Sequence, residues 1–326
     1  MIGRRNKIPE ALGIHVGRDT LTIARVAKRA GELELLQLVH EPLARDPGGW
    51  PVELVGEKLR KARKRINLKA EQAKITLSSD LAPTHFFVMP PMKGDQLDEA
   101  LKLQLQNKWG NTGSELSYQF QIVEKRGERC RIFAPSIPTE RLRLILGSFL
   151  DVNCMIDWME VEGVSLANLF VYSGLAGTKP VGALQVGSNW AEIHILRQKQ
   201  IVLSRAIGKL ESDPSQTDSG TQTRVEAGGP GTEIGGPGLS SSYMRRVARE
   251  ANKTLDYFEI ELLSPAVGRL ILVGETAGST ELPGFLAEEL ELEVDVLDTG
   301  NRIHDATGMY QPNVHGLAVA AAIGEG

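Results

Sequence analysis

Two stretches set 170 residues apart constrain this chain more than any other feature. "GIHVGRDTLTIARV", residues 13–26, reads as a strand, a glycine turn and a second strand. Laid over 11–26 at a constant offset, "VGALQVGSNWAEIHIL" (181–196) puts Gln185 on His15, Val186 on Val16, Gly187 on Gly17, Asn189 on Asp19 and Ile193 on Ile23. Each copy opens a half-chain of similar length, so the pattern predicts two related lobes rather than one continuous core. A chain of 326 residues is long enough for two domains, and a cleft between lobes is the natural place for a site.

Composition narrows the function classes. Hydrophobic residues at 41% and charged residues at 24% suit a folded globular chain. A net charge of -4 promises no broad basic surface, so nucleic acid is not an expected partner. Cys130 and Cys154 lack any paired spacing, which predicts neither a zinc site nor a disulfide framework and fits a reducing cytoplasm. No apolar run approaches the roughly 18 residues of a spanning helix, and "MIGRRNKIPEALG" lacks the apolar segment of a secretion signal.

Along the chain, alternation predicts strands over 12–26 and 33–40. Val55, Leu59, Ala62 and Ile66 then predict a helix over about 51–67. After the strand "AKITLSS", Pro90 and Pro91 interrupt "THFFVMPPM". A helix follows in which Asp95 is the expected cap and Leu97, Leu101 and Leu105 share a face. Two meander strands, a helix over 139–150 and the strand "CMIDWMEV" complete a small α/β insert. Residues 211–242, rich in Ser, Thr, Gly and Pro, predict a flexible loop ahead of a long helix over 243–263. The buried strand and glycine turn "RLILVGETAG", a helix over 284–290, the strand "VDVLD" and a C-terminal helix close the second half.

Two strand–glycine–strand hairpins, an insert after the first opening sheet and a "LVGETAG" turn in the second half together resemble the actin-like ATPase superfamily, and within it the PilM and FtsA branch. "VMPPMKGDQLDEALKLQLQNKW", "DWMEVEGVSLANLF" and "EANKTLDYF" resemble the cytoplasmic type IV pilus assembly family PilM in their order along the chain. The resemblance implies an α/β, actin-like (duplicated ribonuclease H-like) fold of two lobes with a small α/β insert. Residues 1–84 plus 151–178 would form the first lobe and 85–150 the insert. The second lobe would be 179–326, carrying loop 211–242 and helix 243–263 in its outer part.

In such proteins the hairpins clasp nucleotide phosphates through backbone N–H groups and carry paired aspartates that position magnesium and water. The resemblance therefore implies a nucleotide site, if one is retained, at Gly13, His15, Gly17, Arg18, Asp19, Gln185, Gly187, Ser188, Glu250, Lys253, Gly274, Glu275 and Ala277. ATP is the only cofactor it allows. Both aspartate places are altered, to His15 and Gln185, and neither imidazole nor amide replaces carboxylate well around a hard ion. No metal site and no catalytic residue are assigned, and a pseudo-ATPase is expected. The family's Gly-Gly-x-Ala turn reads Gly274-Glu275-Thr276-Ala277 here, with Glu275 placed either to crowd a nucleotide or to face solvent.

Plainer readings stand beside these. His15 on a half-buried strand is also simply a hydrogen-bonded histidine, and Asp19 is either a displaced carboxylate or a turn residue bonding its own backbone. The six basic residues between Lys58 and Arg65 are the solvated face of a helix or a dock for anionic lipid or an acidic partner. By resemblance, the chain is a cytoplasmic scaffold at the inner face of the bacterial inner membrane, serving a type IV pilus or type II secretion platform. Its contact with the membrane is indirect. It would bind the short tail of a PilN-like bitopic protein, and meet other platform components, in a groove walled by Phe86, Phe87, Met89, Leu101 and Leu105, residues that also suit a core. The alternatives are an active actin-like ATPase and an FtsA-like filament-forming division protein.

Overall fold

The two hairpins close in the same register. β1 (Glu10–Val16) pairs antiparallel with β2 (Thr20–Arg29), setting Val16 opposite Leu21; β10 (Val181–Val186) pairs with β11 (Ala191–Arg197), setting Val186 opposite Ala191. Both turns are shut by the same hydrogen bond, Gly17 N–H to Thr20 O at 2.9 Å and Gly187 N–H to Trp190 O at 3.0 Å. The duplication read from the sequence is thus a duplication of backbone geometry. The computed structural model describes residues 10–29, 32–43, 52–69, 72–110, 113–207 and 239–324.

Each hairpin seeds a mixed sheet. In the first, β3 (Glu32–Pro42) extends β2, while β4 (Gln72–Leu77) and β9 (Trp158–Val161) continue parallel to β1. In the second, β12 (Gln200–Ile207) extends β11, and β13 (Arg269–Val273) and β14 (Val294–Val296) continue parallel to β10. Strands with helices on both faces need apolar side chains on both faces. Accordingly the alternate residues Leu12, Ile14 and Val16 are buried on one face of β1, and in β10 Ala183 on one face and Leu184 and Val186 on the other are all buried.

α1 (Val52–Ala62) turns Val55, Leu59 and Ala62 inward and gives way at Ala62 to turns that carry Ile66 into the core, shorter than the helix expected over 51–67. α4 (Glu162–Ser173), which periodicity did not single out, stops at Gly174 in the left-handed conformation, φ 72°. α5 (Ser241–Asp256) is capped by Ser240, whose hydroxyl accepts the Tyr243 N–H at 3.2 Å, and runs on into a single π turn over 257–261. The loop expected over 211–242 lies outside the described residues as far as 238, and 241–242 already belong to α5.

The chain ends where it began. After α6 (Leu282–Leu290), β15 (Ile303–Asp305) joins the first sheet beside β3, and α7 (Pro312–Ile323) packs on β1, β2 and β4. Residues 303–324, counted with the second lobe from the sequence, therefore return to the first. Gly13 explains the close seat of α7, because a Cβ there would overlap the Ala318 carbonyl oxygen.

The insert is a sheet backed by a helix. β8 (Arg129–Pro138) is its central strand, flanked by β5 (Thr84–Met89), β6 (Leu116–Tyr118) and β7 (Gln121–Arg126). α2 (Gly94–Lys108) covers one face with Leu97, Leu101 and Leu105, and α3 (Thr139–Leu150) leads back to α1. Lys93, not Asp95, holds the α2 cap position, and Asp95 instead places its charge in the first turn. Phe87, Leu101 and Leu105 are buried between sheet and helix, with only Phe86 and Met89 partly exposed, so the expected groove wall is mostly the insert's own core.

Candidate functional site

A small cavity lies where the two hairpin turns face each other. Its lining includes His15, Arg18, Asp19, Gln185, Gly187, Ser188, Gly274 and Glu275, eight of the residues singled out by sequence. Glu162, Trp190 and Asn313 join them. Gly13, Gly17, Glu250, Lys253 and Ala277 do not: Gly13 meets α7, Gly17 lies against the His15 ring, Ala277 is core, and Glu250 and Lys253 pair at 2.7 Å on α5, with Arg205 beside them.

His15 has a definite partner. Its Nε2 lies 2.7 Å from Glu162 Oε1, and both side chains are buried. Glu162 opens α4, where the helix N-terminus favours a carboxylate. The imidazole thus meets a carboxylate supplied from another element, and its plainer reading as a bonded histidine is the one observed. Gln185, 2% exposed, has neither amide atom hydrogen-bonded among the described residues.

Trp190 bridges the two turns. Its indole N–H donates to Asp19 Oδ2 at 2.6 Å, its ring packs against Gly187, and the Arg18 guanidinium lies over that ring at 4.8 Å from the centroid. Asp19 therefore serves as an acceptor across the cleft. The N–H groups of Gly17 and Gly187, expected to meet phosphates, are spent closing their own turns.

Two further ties cross the cleft. Ser79, just after β4, donates to Glu192 on β11. Ser204 also donates to Glu192, at 2.9 Å, and then accepts from His194 Nδ1 at 2.9 Å, which fixes the imidazole proton on Nδ1. On the rim, His40 of β3 reaches Glu275 at 3.3 Å while its Nδ1 takes the Thr22 hydroxyl at 2.8 Å. The bond to His40 holds the Glu275 carboxyl below the usual carboxylate range, so Glu275 is an ionised inter-lobe tie. Gly274, at φ 110°, lets the turn pass over β10: a Cβ would overlap the Val186 carbonyl oxygen. Burial keeps His315, whose ring lies edge-on to His40, near pKa 4.

The cavity encloses about 100 Å³, whereas small-molecule pockets run to roughly 300–1,000 Å³. The indole of Trp190 stands between the turns, and among the described residues no three metal-ligating side chains converge.

The sequence reading missed Trp190, Glu162 and Glu192. Trp190 had a signal, since the offset of 170 sets it on Thr20, a bulky ring where the first copy has a small residue. Glu162 and Glu192 had none, because their role depends on where α4 and β11 come to lie.

The same architecture occurs in solved structures. The chain is similar to a "PilM-PilN type IV pilus biogenesis complex", with TM-score 0.69 and 14% identity over 96% of this chain and 97% of that one. It is also similar, at TM-score 0.53 and 11% identity over the whole of both chains, to a Bacteroides thetaiotaomicron protein described as having an actin-like ATPase fold and unknown function.

The fold is actin-like, and PilM-like in form.

No family model matches the chain, and no curated protein matches it in sequence. At these identities the actin-like likeness is one of fold, carried by the paired hairpins and the two matching sheets. Among the described residues no helix is long and apolar enough to cross a membrane.

Proposed function

We propose that this chain is a non-hydrolysing actin-like scaffold of a type IV pilus or type II secretion platform. It works in the cytoplasm at the inner face of the bacterial inner membrane and binds the short cytoplasmic tail of a PilN-like bitopic protein. The observation that carries the non-hydrolysing part is the Trp190–Asp19 bond, which ties one hairpin turn to the other where a nucleotide's phosphates would lie. The scaffolding part is supported by the fold shared with PilM over almost the whole chain. A surface that recognises a peptide needs pockets and backbone hydrogen bonds, not a reactive centre, so it tolerates a closed cleft. We put the tail between the insert and the first lobe, where Phe86 keeps surface to offer on the sheet face away from α2, while Phe87, Met89, Leu101 and Leu105 belong to the α2 side.

Calorimetry with a synthetic PilN-like tail peptide tests both parts. Saturable binding that is unchanged by Mg-ATP is the expected result. Absence of binding with and without nucleotide would overturn the scaffold reading, and steady phosphate release would favour the active ATPase instead.

A further inference from the structure

The insert's sheet has a second face, and it is only half covered. Opposite the α2 side, the Phe133 and Phe86 rings meet tilted, centroids 5.5 Å apart, and pack toward the first lobe. Farther along the same face, strand pairing sets Val88, Arg131 and Glu124 in one row across β5, β8 and β7. Val88 is 59% exposed.

Arg131 is the anomaly in that row. It is 7% exposed, its guanidinium lies 5.1 Å from the Phe86 ring centroid, and the carboxylate that balances it is Glu124, its neighbour in the row. Glu124 is already shared, 3.2 Å from Arg126 and 3.4 Å from Arg197 of β11. Three guanidinium groups thus surround one carboxylate at the junction of the insert and the second lobe. Three guanidinium groups sharing one carboxylate leave positive charge in excess at a partly desolvated corner, which an arriving carboxylate offsets, most of all through a paired guanidinium–carboxylate bond.

Apolar surface adjoins this charge. The turn following α5 exposes Tyr257, Ile260 (66%) and Leu263 (75%), and Leu263 sits in the left-handed region at φ 47°. Arg126 holds that turn in place by donating to the carbonyls of Leu262 at 3.1 Å and Leu263 at 3.2 Å. A bulky apolar residue kept in a strained, exposed position is costly unless something covers it.

We infer that this corner, between the open face of the insert and the α5 turn, docks an extended peptide of a partner protein in which acidic and apolar residues interleave. Its carboxylates meet Arg131 and Arg197, and its apolar side chains cover Val88, Ile260 and Leu263. The surface continues the Phe86 face of the tail site proposed above toward the second lobe, and its test reads Arg197 and Ile260, which that site does not include.

Selection of random short peptides displayed on phage against the whole chain tests this, with binding of the recovered peptides followed by fluorescence anisotropy. Acidic–apolar peptides are enriched, bind more weakly as salt rises, and lose about tenfold or more in affinity to Arg197→Ala and to Ile260→Ser. Both substitutions are at partly or largely exposed positions and leave folding intact, unlike Arg131→Gln, which serves only if its melting transition matches the parent's. Failure to enrich, recovery of basic peptides, or full binding to both variants would each overturn the inference. So would binding of phosphatidylglycerol vesicles or self-association that the same two substitutions abolish.

Discussion

His15 Nε2 and Glu162 Oε1 stand 2.7 Å apart at the floor of the inter-lobe cavity, joining the first hairpin to the start of α4. Glu162 is buried, so removing the imidazole strands its carboxylate. His15→Ala is expected to cost about 3–5 kcal/mol in urea unfolding. His15→Gln, which can still donate to Glu162, costs less than about half of that. Equal losses in the two variants would show that the bond is not what matters.

The indole of Trp190 both fills space and donates a hydrogen bond. Trp190→Phe keeps the ring and removes the N–H to Asp19, a charge-assisted bond whose loss should lower stability by about 1.5–3 kcal/mol. Trp190→Ala removes the ring as well, with an expected total near 3–5 kcal/mol. On the proposed non-hydrolysing reading Trp190→Ala releases no phosphate, because positions 15 and 185 still lack carboxylates; phosphate release by that variant would contradict the proposal.

Comparing sequence with structure, the legible part was whatever repeats locally. The offset of 170 set Val186 on Val16 and Gly187 on Gly17, and strand pairing and turn closure obey it to the residue. Six of the eight candidate cleft residues in the cavity come from the two hairpins, whose turns carry their own geometry, and Gly274 and Glu275 come from the turn after β13. Long-range returns were not legible: nothing in "PNVHGLAVAAAI" says that α7 crosses to the first sheet, since an all-round apolar helix fits any buried seat. Glu250 and Lys253 failed for a related reason. They were assigned by likeness of a helix motif, and on α5 they satisfy each other and Arg205.

Gly13 and Gly284 separate two meanings of glycine. Gly13→Ala is expected to destabilise by about 3 kcal/mol or more, or to prevent folding, because its Cβ overlaps the α7 backbone at Ala318. Gly284 lies inside α6, and no neighbouring atom comes within 4 Å of the place its Cβ would take, so Gly284→Ala should stabilise by about 0.5–1 kcal/mol through helix propensity. Thermal melts of the two variants should move in opposite directions.

Two buried groups give the chain opposing pH dependences. Burial raises the Glu160 carboxyl from 4.5 to about 7, against the pull of its bonds to Ser165 and Asn168 and the nearby Lys74 charge. The folded state therefore holds that proton longer than the unfolded state, and the associated stability, present below pH 4.5, is lost as pH rises through 7. Burial lowers His315 from 6.5 to about 4, helped by His40, while its Nδ1 accepts the Gln311 N–H at 3.0 Å. Here the unfolded state takes up the proton first, so stability present above pH 6.5 is lost as pH falls through 4. Each shift is worth about 3.5 kcal/mol at 1.4 kcal/mol per unit, and between pH 4.5 and 6.5 the two slopes oppose each other. Urea unfolding across that window should be nearly flat with respect to this pair in the parent. Glu160→Gln leaves the His315 slope exposed, so stability rises with pH, and His315→Asn leaves the Glu160 slope exposed, so stability falls. If both variants track the parent across the window, the two burial effects are not what sets its pH response.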